Sequence, residues 1–478
     1  MKYFLLNLLL IFFSGNSLGQ NQNKSTEPCN CEIVFKDLVE KLENNYIALA
    51  QKRLAGSDKA YEARKTLYSE RSAEVDAENC TAFLDDFLSF FEDGHLSVFE
   101  YPNYSEAEVS GFKEEIKKRK ITRDMLDRMI LNDSTSIRSS SDKILGKWTD
   151  GKSDFIVTKN KDVYKAYILE STVEGIEFGE CKAIFSPNSD GYLVEYYSYN
   201  YSKRYTSGDV YKEDLVLRGG GLFWIRKESP FKRELESIDK INFKSPSIIK
   251  LDEKNTIISL LSFSLGYKSF NDFIKENKHL IINSENLIID IRGNTGGNGI
   301  YFPLIELYAT QNMEGSQGLV LASLDNLSYF ERQQEYSKKV FKPVVNRIKS
   351  NQGEIIDGPS YPGKKFKTPK KSKIKNVAIL TDEGCASASE SFILHSKRSS
   401  TKVKIFGAPT EGTIDYTSVT SILLNSGKQY IYFRYPTSTL NKEIPNNGYN
   451  KTGIIPDIPI QNDVKDKVDF IIRYYQEE

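Results

Sequence analysis

The residues best suited to carry out a reaction lie in the segment Gly384-Cys-Ala-Ser387-Ala-Ser389-Glu390. It follows an apolar run at residues 377–380, which predicts a short buried strand, and an apolar helical pattern begins at Phe392. A serine placed where a strand turns into a helix has its hydroxyl close to the free N–H groups of the helix N-terminus, which favour negative charge. The segment therefore predicts a nucleophile at Ser387, and the simpler alternative is that Ser387 and Ser389 only cap the helix.

A glycine-rich loop follows a second predicted buried strand at residues 287–291. The loop, residues 292–299, contains neither the Gly-Lys-Ser/Thr step of a phosphate-binding loop nor the spacing of a dinucleotide fingerprint. Its glycines instead allow backbone N–H groups to approach a ligand closely. Beside Ser387, such a loop would supply donors to an oxyanion.

Four motifs occur in a familiar order: Asp290-Ile-Arg-Gly-Asn-Thr-Gly-Gly297, Ser387-Ala-Ser-Glu390, Gly407-Ala-Pro-Thr-Glu-Gly412 and Gly453-Ile-Ile-Pro-Asp457. Over residues 250–478 the chain resembles the tail-specific, or C-terminal processing, serine peptidase family, which includes the tricorn protease core and interphotoreceptor retinoid-binding protein repeats. The resemblance implies an α/β fold with a crotonase-like, layered ββα catalytic domain and a serine peptidase that needs no metal or cofactor.

The resemblance also assigns roles around the nucleophile. It implies that Ser387 attacks the substrate, and that the N–H of Ala388 and of one glycine of the pair Gly296 and Gly297 form the oxyanion hole. Many relatives use a Ser–Lys dyad, but Thr413 stands at the matching lysine position. The tricorn-like branch uses a histidine from the N-terminal part of the chain instead.

The chain has three histidines, so the choice of general base is narrow. His395 is eight residues past Ser387 on the same predicted helix, about 12 Å along its axis, and so cannot reach the serine. His279 lies in a polar stretch typical of a surface. His95 follows a predicted helix end in the step Asp93-Gly94-His95, and we expect it to be the base.

A third residue should orient the imidazole of the base. The tricorn-like branch places a glutamate three residues before the glycine of its Gly-Val-x-Pro-Asp motif, and the matching residue here is Asn450. An amide can hold an imidazole, although it stabilises imidazolium less than a carboxylate does. Glu443 and Asp415 remain alternatives if loops bring them close.

The rest of the chain predicts an exported protein of several domains. Residues 1–19 are typical of a signal peptide, with Lys2 before an apolar run and small residues at its end. We expect a helical region at 20–140 carrying the base, a small antiparallel β-barrel or sandwich at 145–245, and the catalytic domain at 250–478. In an oxidising compartment Cys80 is expected to pair with Cys29 or Cys31, and the Cys-x-Cys spacing without a nearby histidine does not favour a zinc site.

The predicted function is that of a periplasmic or extracellular serine peptidase acting on peptides or proteins. Its formal charge of zero implies no general attraction to nucleic acid, and no segment after the signal peptide is long enough to span a membrane. The missing lysine and Asn450 leave one rival open, a degenerate relative that binds a peptide or other ligand. An esterase-like hydrolase using the same site is the second rival.

Overall fold

A computed structural model describes residues 29–100, 104–130, 144–226 and 246–477, apart from 151, 189–190, 212–215, 220–221, 265, 428, 447, 451, 462–463 and 465. The predicted signal peptide at 1–19 lies outside the described residues. By contacts the chain divides into two compact units, Met1–Phe99 with Ser245–Glu478, and Glu100–Lys244. None of the helices within the described ranges combines the length and the apolar character needed to cross a membrane.

The first unit contains a six-stranded sheet. Its strands, in spatial order, are β10 (Ser247–Lys250), β11 (Asn255–Ser259), β12 (Asn286–Asp290), β15 (Asn376–Thr381), β16 (Val403–Gly407) and β19 (Ile458–Pro459). All neighbours are parallel except the β10–β11 pair. The fully buried strand β12 sends Leu287 and Ile289 into one apolar cluster and Ile288 into another. This burial on both faces explains why the predicted strands are continuous apolar runs.

Helices cover both faces of this sheet. Apolar residues of α6 (Tyr267–Asn283), α7 (Phe302–Ile305) and α10 (Ala388–Ser399) join the first cluster, and those of α11 (Lys467–Glu477) join the second. The carboxyl ends of the parallel strands β12 and β15 lie side by side, since Asp290 is opposite Leu380. The glycine-rich loop and the Ser387 segment, which follow these two strands, are therefore neighbours.

A second sheet of the same unit carries the other side of the site. It contains β1 (Ser97–Glu100), β13 (Ser316–Leu321), β14 (Ile355–Tyr361), β17 (Tyr416–Leu423) and β18 (Ile431–Thr439). One face packs against the cluster of the N-terminal helices α1 (Cys31–Asn45), α2 (Ile47–Leu54), α3 (Lys59–Arg71) and α4 (Cys80–Ser89). Helices α8 (Leu324–Gln333) and α9 (Lys338–Ser350) form a further cluster with residues of β13.

A disulfide joins the first and fourth helices. It links Cys31 to Cys80, with their Cα atoms 5.4 Å apart, and does not include Cys29. The sequence left this choice between Cys29 and Cys31 open. Because His95 follows α4 closely, the bond stabilises the part of the chain that carries the predicted base.

We predict that removing this bond lowers stability without reshaping the site. The two cysteines are 49 residues apart, and closing a loop of that length stabilises by about 4 kcal/mol in the chain-entropy model. Urea unfolding of Cys31→Ala, compared with Cys29→Ala as the matched control, should show the loss in Cys31→Ala alone. Equal midpoints for the two variants would contradict the prediction.

The second unit has α5 (Glu106–Lys118) and a closed antiparallel barrel. The barrel strands, in order, are β2 (Gly146–Thr149), β3 (Ser153–Asn160), β4 (Val163–Ser171), β5 (Cys181–Asn188), β6 (Gly191–Tyr197), β7 (Lys203–Tyr211), β8 (Val216–Gly219) and β9 (Leu222–Arg226). Its core combines aliphatic and aromatic side chains, and the rings of Phe155 and Trp224 stack with their centroids 4.2 Å apart. Of the two forms expected from the sequence, barrel or sandwich, the described strands form the barrel.

Candidate active site

Ser387 lies at a strained turn between β15 and α10. Its backbone has φ 57°, a conformation that is uncommon for residues other than glycine, and the helix begins at the next residue. Strain of this kind is often retained at functional sites, where the surroundings enforce it. Ser389, in contrast, is a buried helix residue whose Oγ donates to the carbonyl of Ala386 at 2.8 Å.

A buried carboxylate holds the turn in place. Glu390 is fully buried, and one of its oxygens accepts from the backbone N–H of Ser387 at 2.9 Å. The same carboxylate accepts from Thr410 Oγ1 at 2.6 Å and from the N–H groups of Gly412 and Thr413 at 2.9 Å each. Burial raises the pKa of Glu390 to about 7, although these four donors oppose the rise. Glu390 thus joins the Ser387 turn to the 410–413 loop.

The glycine-rich loop passes directly beside the serine. A Cβ on Gly296 would lie 2.8 Å from the nitrogen of Ala388 and 2.9 Å from Cβ of Ser387, so only glycine fits. The N–H of Gly296 donates to Asn294 Oδ1 at 2.9 Å. Gly297 lies opposite Phe263 in a parallel bridge, and the hydrogen bonds of this bridge are made by the neighbours of Gly297, Gly296 and Asn298. The N–H of Gly297 itself therefore points away from Phe263. Among the described residues, no hydrogen bond engages the N–H of Gly297 or of Ala388.

His95 and Ser387 are in direct contact. Nε2 of His95 lies 3.0 Å from Oγ of Ser387, although the residues are 292 positions apart. Nδ1 of His95 lies 2.8 Å from the carbonyl oxygen of Tyr416, the first residue of β17. A carbonyl can only accept, so Nδ1 carries the proton of the neutral ring. Nε2 is then unprotonated and can accept the proton of Ser387.

The loop that carries His95 is held by two further side chains. Asp93 accepts from the backbone N–H of His95 at 2.9 Å and from the hydroxyl of Tyr46 at 2.8 Å, and burial raises its pKa to about 6. Arg434 donates to the carbonyl of Gly94 at 3.2 Å. Burial, together with the positive charge of Arg434, lowers the pKa of His95 to about 4. The imidazole is therefore neutral, and able to act as a base, across the physiological range.

The other two histidines lie away from Ser387. His395 is on the same helix, its Nδ1 lies 3.0 Å from the hydroxyl of Tyr301, and its ring stacks on Phe302. His279 is an exposed residue of α6. These positions agree with the reasoning that singled out His95.

The predicted orienting residues lie near the site, but a different group contacts the imidazole. Asn450 donates its backbone N–H to Asp415 Oδ2 at 2.9 Å. One end of its side-chain amide lies 3.2 Å from Asp415 Oδ2 and 2.7 Å from the carbonyl oxygen of Gly412, and because both of these atoms are acceptors, the nitrogen is assigned to that end. Asp415 is buried and is engaged by this loop. Glu443 is an exposed turn residue. The acceptor that contacts Nδ1 of His95 is the carbonyl of Tyr416, so none of these three side chains makes that contact.

The position of the missing lysine lies against the loop of the base. Thr413, which stands there, lies so close to this loop that a Cβ on Gly94 would be 2.5 Å from its Oγ1. A side chain at position 94 would therefore clash with Thr413, which accounts for the glycine before His95.

Some of these groups have no side-chain signal in the sequence. The Tyr416 carbonyl is a backbone acceptor, and every residue carries one. Glu390 entered the sequence analysis only as part of a motif, yet an acidic residue three positions after a predicted helix cap is a recognisable signature of such a contact. Within the described ranges, no group of three His, Cys, Asp or Glu side chains is arranged to hold a metal ion.

Residues 254–460 match a family model described as peptidase family S41. This segment contains the Ser387 turn, the glycine-rich loop and β17, whereas His95 lies before it. A comparison with curated proteins found no match.

Several solved structures resemble the chain at low sequence identity. Mature CPAF complexed with lactacystin has 13% identity and a TM-score of 0.49 over 94% of this chain and 98% of its own. The photosystem II D1 C-terminal processing protease has 11% identity and a TM-score of 0.38 over 90% and 93%. The tricorn protease has 11% identity and a TM-score of 0.40 over 94% of this chain and 36% of its own. The assignment therefore rests on the family model.

Proposed function

We propose that Ser387 is the nucleophile and His95 the general base of this serine-type peptidase, whose residues 254–460 match the model of peptidase family S41. The observation that carries the proposal is the 3.0 Å contact between Nε2 of His95 and Oγ of Ser387. This distance lies within the range required of a nucleophile and its base. The crotonase-like layering is part of the same proposal, and the six-stranded sheet with helices on both faces supports it.

In the proposed reaction, Oγ of Ser387 attacks the peptide carbonyl as its proton passes to Nε2 of His95. The imidazolium that forms keeps its Nδ1–H on the Tyr416 carbonyl, which holds the ring in position. His95 then gives the proton to the leaving amine, and water hydrolyses the acyl-enzyme with the same base. A carbonyl stabilises imidazolium less than a carboxylate does. Asp93 contributes by holding the loop of the base, through the backbone N–H of His95.

The oxyanion formed in this reaction would accept hydrogen bonds from the N–H groups of Ala388 and Gly297. Ala388 is the first residue of α10, where the helix dipole also favours negative charge. The N–H of Gly296 is engaged by Asn294, so its role in this scheme is to let the loop approach Ser387. We further propose that the substrates are peptides or proteins met outside the cytoplasm, after removal of the signal peptide.

Labelling with a fluorophosphonate probe tests this function. An active serine hydrolase should be labelled at Ser387, and peptide substrates should be turned over faster than matched esters relative to their spontaneous hydrolysis. No labelling would favour the ligand-binding rival, and turnover of esters alone would favour the esterase.

The pH dependence of kcat/KM tests the base separately. The pKa of His95 lies below its ordinary 6.5, at about 4, and the neutral form is the base. Activity should therefore persist well below pH 6.5 and fall as the pH drops through about 4. Arg434→Gln removes a positive charge that disfavours imidazolium, so the midpoint of this fall should move to higher pH. A midpoint that the substitution leaves in place would assign the titration to another group.

A further inference from the structure

A lysine-rich segment, residues 364–375, lies directly before strand β15 and takes no part in the proposed catalysis. It contains seven lysines and no acidic residue, although the formal charge of the whole chain is zero. It forms neither a helix nor a strand. A protein without net charge therefore concentrates positive charge in one short stretch of its surface.

Side chains between the lysines anchor this segment to the first unit. Phe366 and Ile374 pack with the apolar cluster of the six-stranded sheet. Between them, Thr368 Oγ1 donates to the carbonyl of Ala309 at 2.6 Å. The backbone of the segment is thereby fixed on the surface of the unit.

Every exposed residue between 365 and 375 is a lysine. Where a chain is extended, successive side chains point to opposite sides, so anchors on one side leave lysines on the other. The other residues of this stretch are buried or half-buried, and the exposed ones are Lys365, Lys367, Lys370, Lys371, Lys373 and Lys375. We call these six residues the lysine strip.

Most of the charge of the lysine strip is not neutralised by the protein. At one end, Lys375 pairs with Glu285 at 2.9 Å. Before the other end, the charge of Glu306 interacts with Lys364, which is half-buried. Within the described part of the chain, no ion pair engages the remaining members, Lys365, Lys367, Lys370, Lys371 and Lys373.

The lysine strip and the candidate catalytic site lie at opposite edges of the six-stranded sheet. The strip ends where β15 begins, and Lys375 donates its backbone N–H to the carbonyl of Glu285, just before β12, at 2.8 Å. Ser387 and the glycine-rich loop follow the carboxyl ends of the same two strands. A strand of six residues, such as β15, is about 20 Å long, which exceeds the Debye length of about 8 Å at physiological ionic strength. A partner bound to the strip would therefore leave the site accessible.

The chemistry of the strip favours a broad anionic surface as the partner. Lysine is a hydrated point charge, whereas arginine is preferred where single phosphate or carboxylate groups are recognised, and the strip contains no arginine. Single-stranded nucleic acids bind to basic grooves that also offer aromatic rings for stacking, but Phe366 is packed against the apolar cluster. A row of protruding lysines instead matches the headgroups of an anionic bilayer, which attracts clusters of about four to eight basic residues.

We propose that the lysine strip holds the protein reversibly against a bilayer that contains anionic lipids, with the candidate catalytic site at the far edge of the sheet. The attraction is electrostatic and requires no inserted segment. It does not depend on the proposed function, because the strip shares no residue with the catalytic machinery.

Co-sedimentation with vesicles tests the proposal. The protein is used after removal of the predicted signal peptide, whose apolar run would itself enter lipid. It should bind vesicles of equal parts phosphatidylglycerol and phosphatidylcholine at about 50 mM salt, and dissociate at about 500 mM salt, where charges are strongly screened. Binding to vesicles of phosphatidylcholine alone should be at least about tenfold weaker.

A charge-removing variant locates the binding surface. It combines Lys367→Gln, Lys370→Gln, Lys371→Gln and Lys373→Gln. Because each basic residue near an anionic membrane contributes about fivefold to the partition coefficient, this variant should bind at least about twentyfold more weakly. Replacing the same four lysines with arginine keeps the charge and should keep the binding.

The matched control removes the same charge from another surface of the first unit. It carries glutamine at four exposed lysines of α9, namely Lys338, Lys339, Lys342 and Lys349. Its partition coefficient should stay within about twofold of the wild type. Fluorophosphonate labelling of Ser387 and the thermal midpoint should be the same in all of these proteins.

Three results would overturn the proposal. The first is equal binding of the wild type to vesicles with and without phosphatidylglycerol, and the second is an equal loss of binding in the strip variant and the α9 variant. The third is tighter binding to polyglutamate than to the anionic vesicles, because the strip would then belong to an interface with an acidic protein.

Discussion

Replacing Ser387 with alanine is expected to abolish fluorophosphonate labelling and to lower kcat for peptide hydrolysis by at least about 10⁴-fold. The lost Oγ is the atom that His95 contacts, and the side chain is half-exposed, so the thermal midpoint should hardly change. Single-turnover kinetics and calorimetry on the same preparations would measure both effects.

Ser389→Ala is the matched control for this substitution, since it also removes a serine hydroxyl, two residues further along the chain. The Oγ of Ser389 is buried and donates to the Ala386 carbonyl, so its loss should cost about 1 kcal/mol of unfolding free energy and change kcat by only a few-fold. Equal loss of activity in the two variants would remove Ser387 from the role of nucleophile.

The second large effect is expected from His95→Ala. Without the base, kcat should fall almost as far as in Ser387→Ala, and the double variant should be no worse than either single one, because members of a catalytic unit are strongly non-additive. The comparison requires kcat of all three proteins at one pH well above 4, where the imidazole of the wild type is neutral.

The other histidines and Asn450 are controls for the base. His279→Ala should leave kcat unchanged, and His395→Ala should act on stability, because His395 bonds to Tyr301 and stacks on Phe302. Asn450→Ala should cost less activity than His95→Ala if the Tyr416 carbonyl orients the ring. Activity that survives the loss of His95 would place the base elsewhere.

Much of the fold was predictable from local patterns. The apolar runs of β12 and β15 predicted buried strands, and their order with the loops that follow predicted an α/β domain, which agrees with the mixed α/β structure. The family resemblance at the Ser387 segment and the serine peptidase assignment are confirmed by the family match. These features were accessible because a buried strand, a glycine loop and a helix start each leave a signature within about ten residues.

The sequence by itself determined which side chains could do the chemistry: one serine at a strand-to-helix turn, and one loop histidine among three. Only the tertiary structure decided how they meet. The N-terminal helices must pack in one apolar cluster with residues of β13, β17 and β18 before His95, 292 positions away, reaches Ser387. It also decided that Cys31, not Cys29, bonds to Cys80, and that the Tyr416 carbonyl holds the imidazole. The physical reason is that the chemistry of a side chain follows from the identity of its residue, which the sequence states. Backbone donors and acceptors are the same at nearly every residue, so their role depends only on where the fold places them.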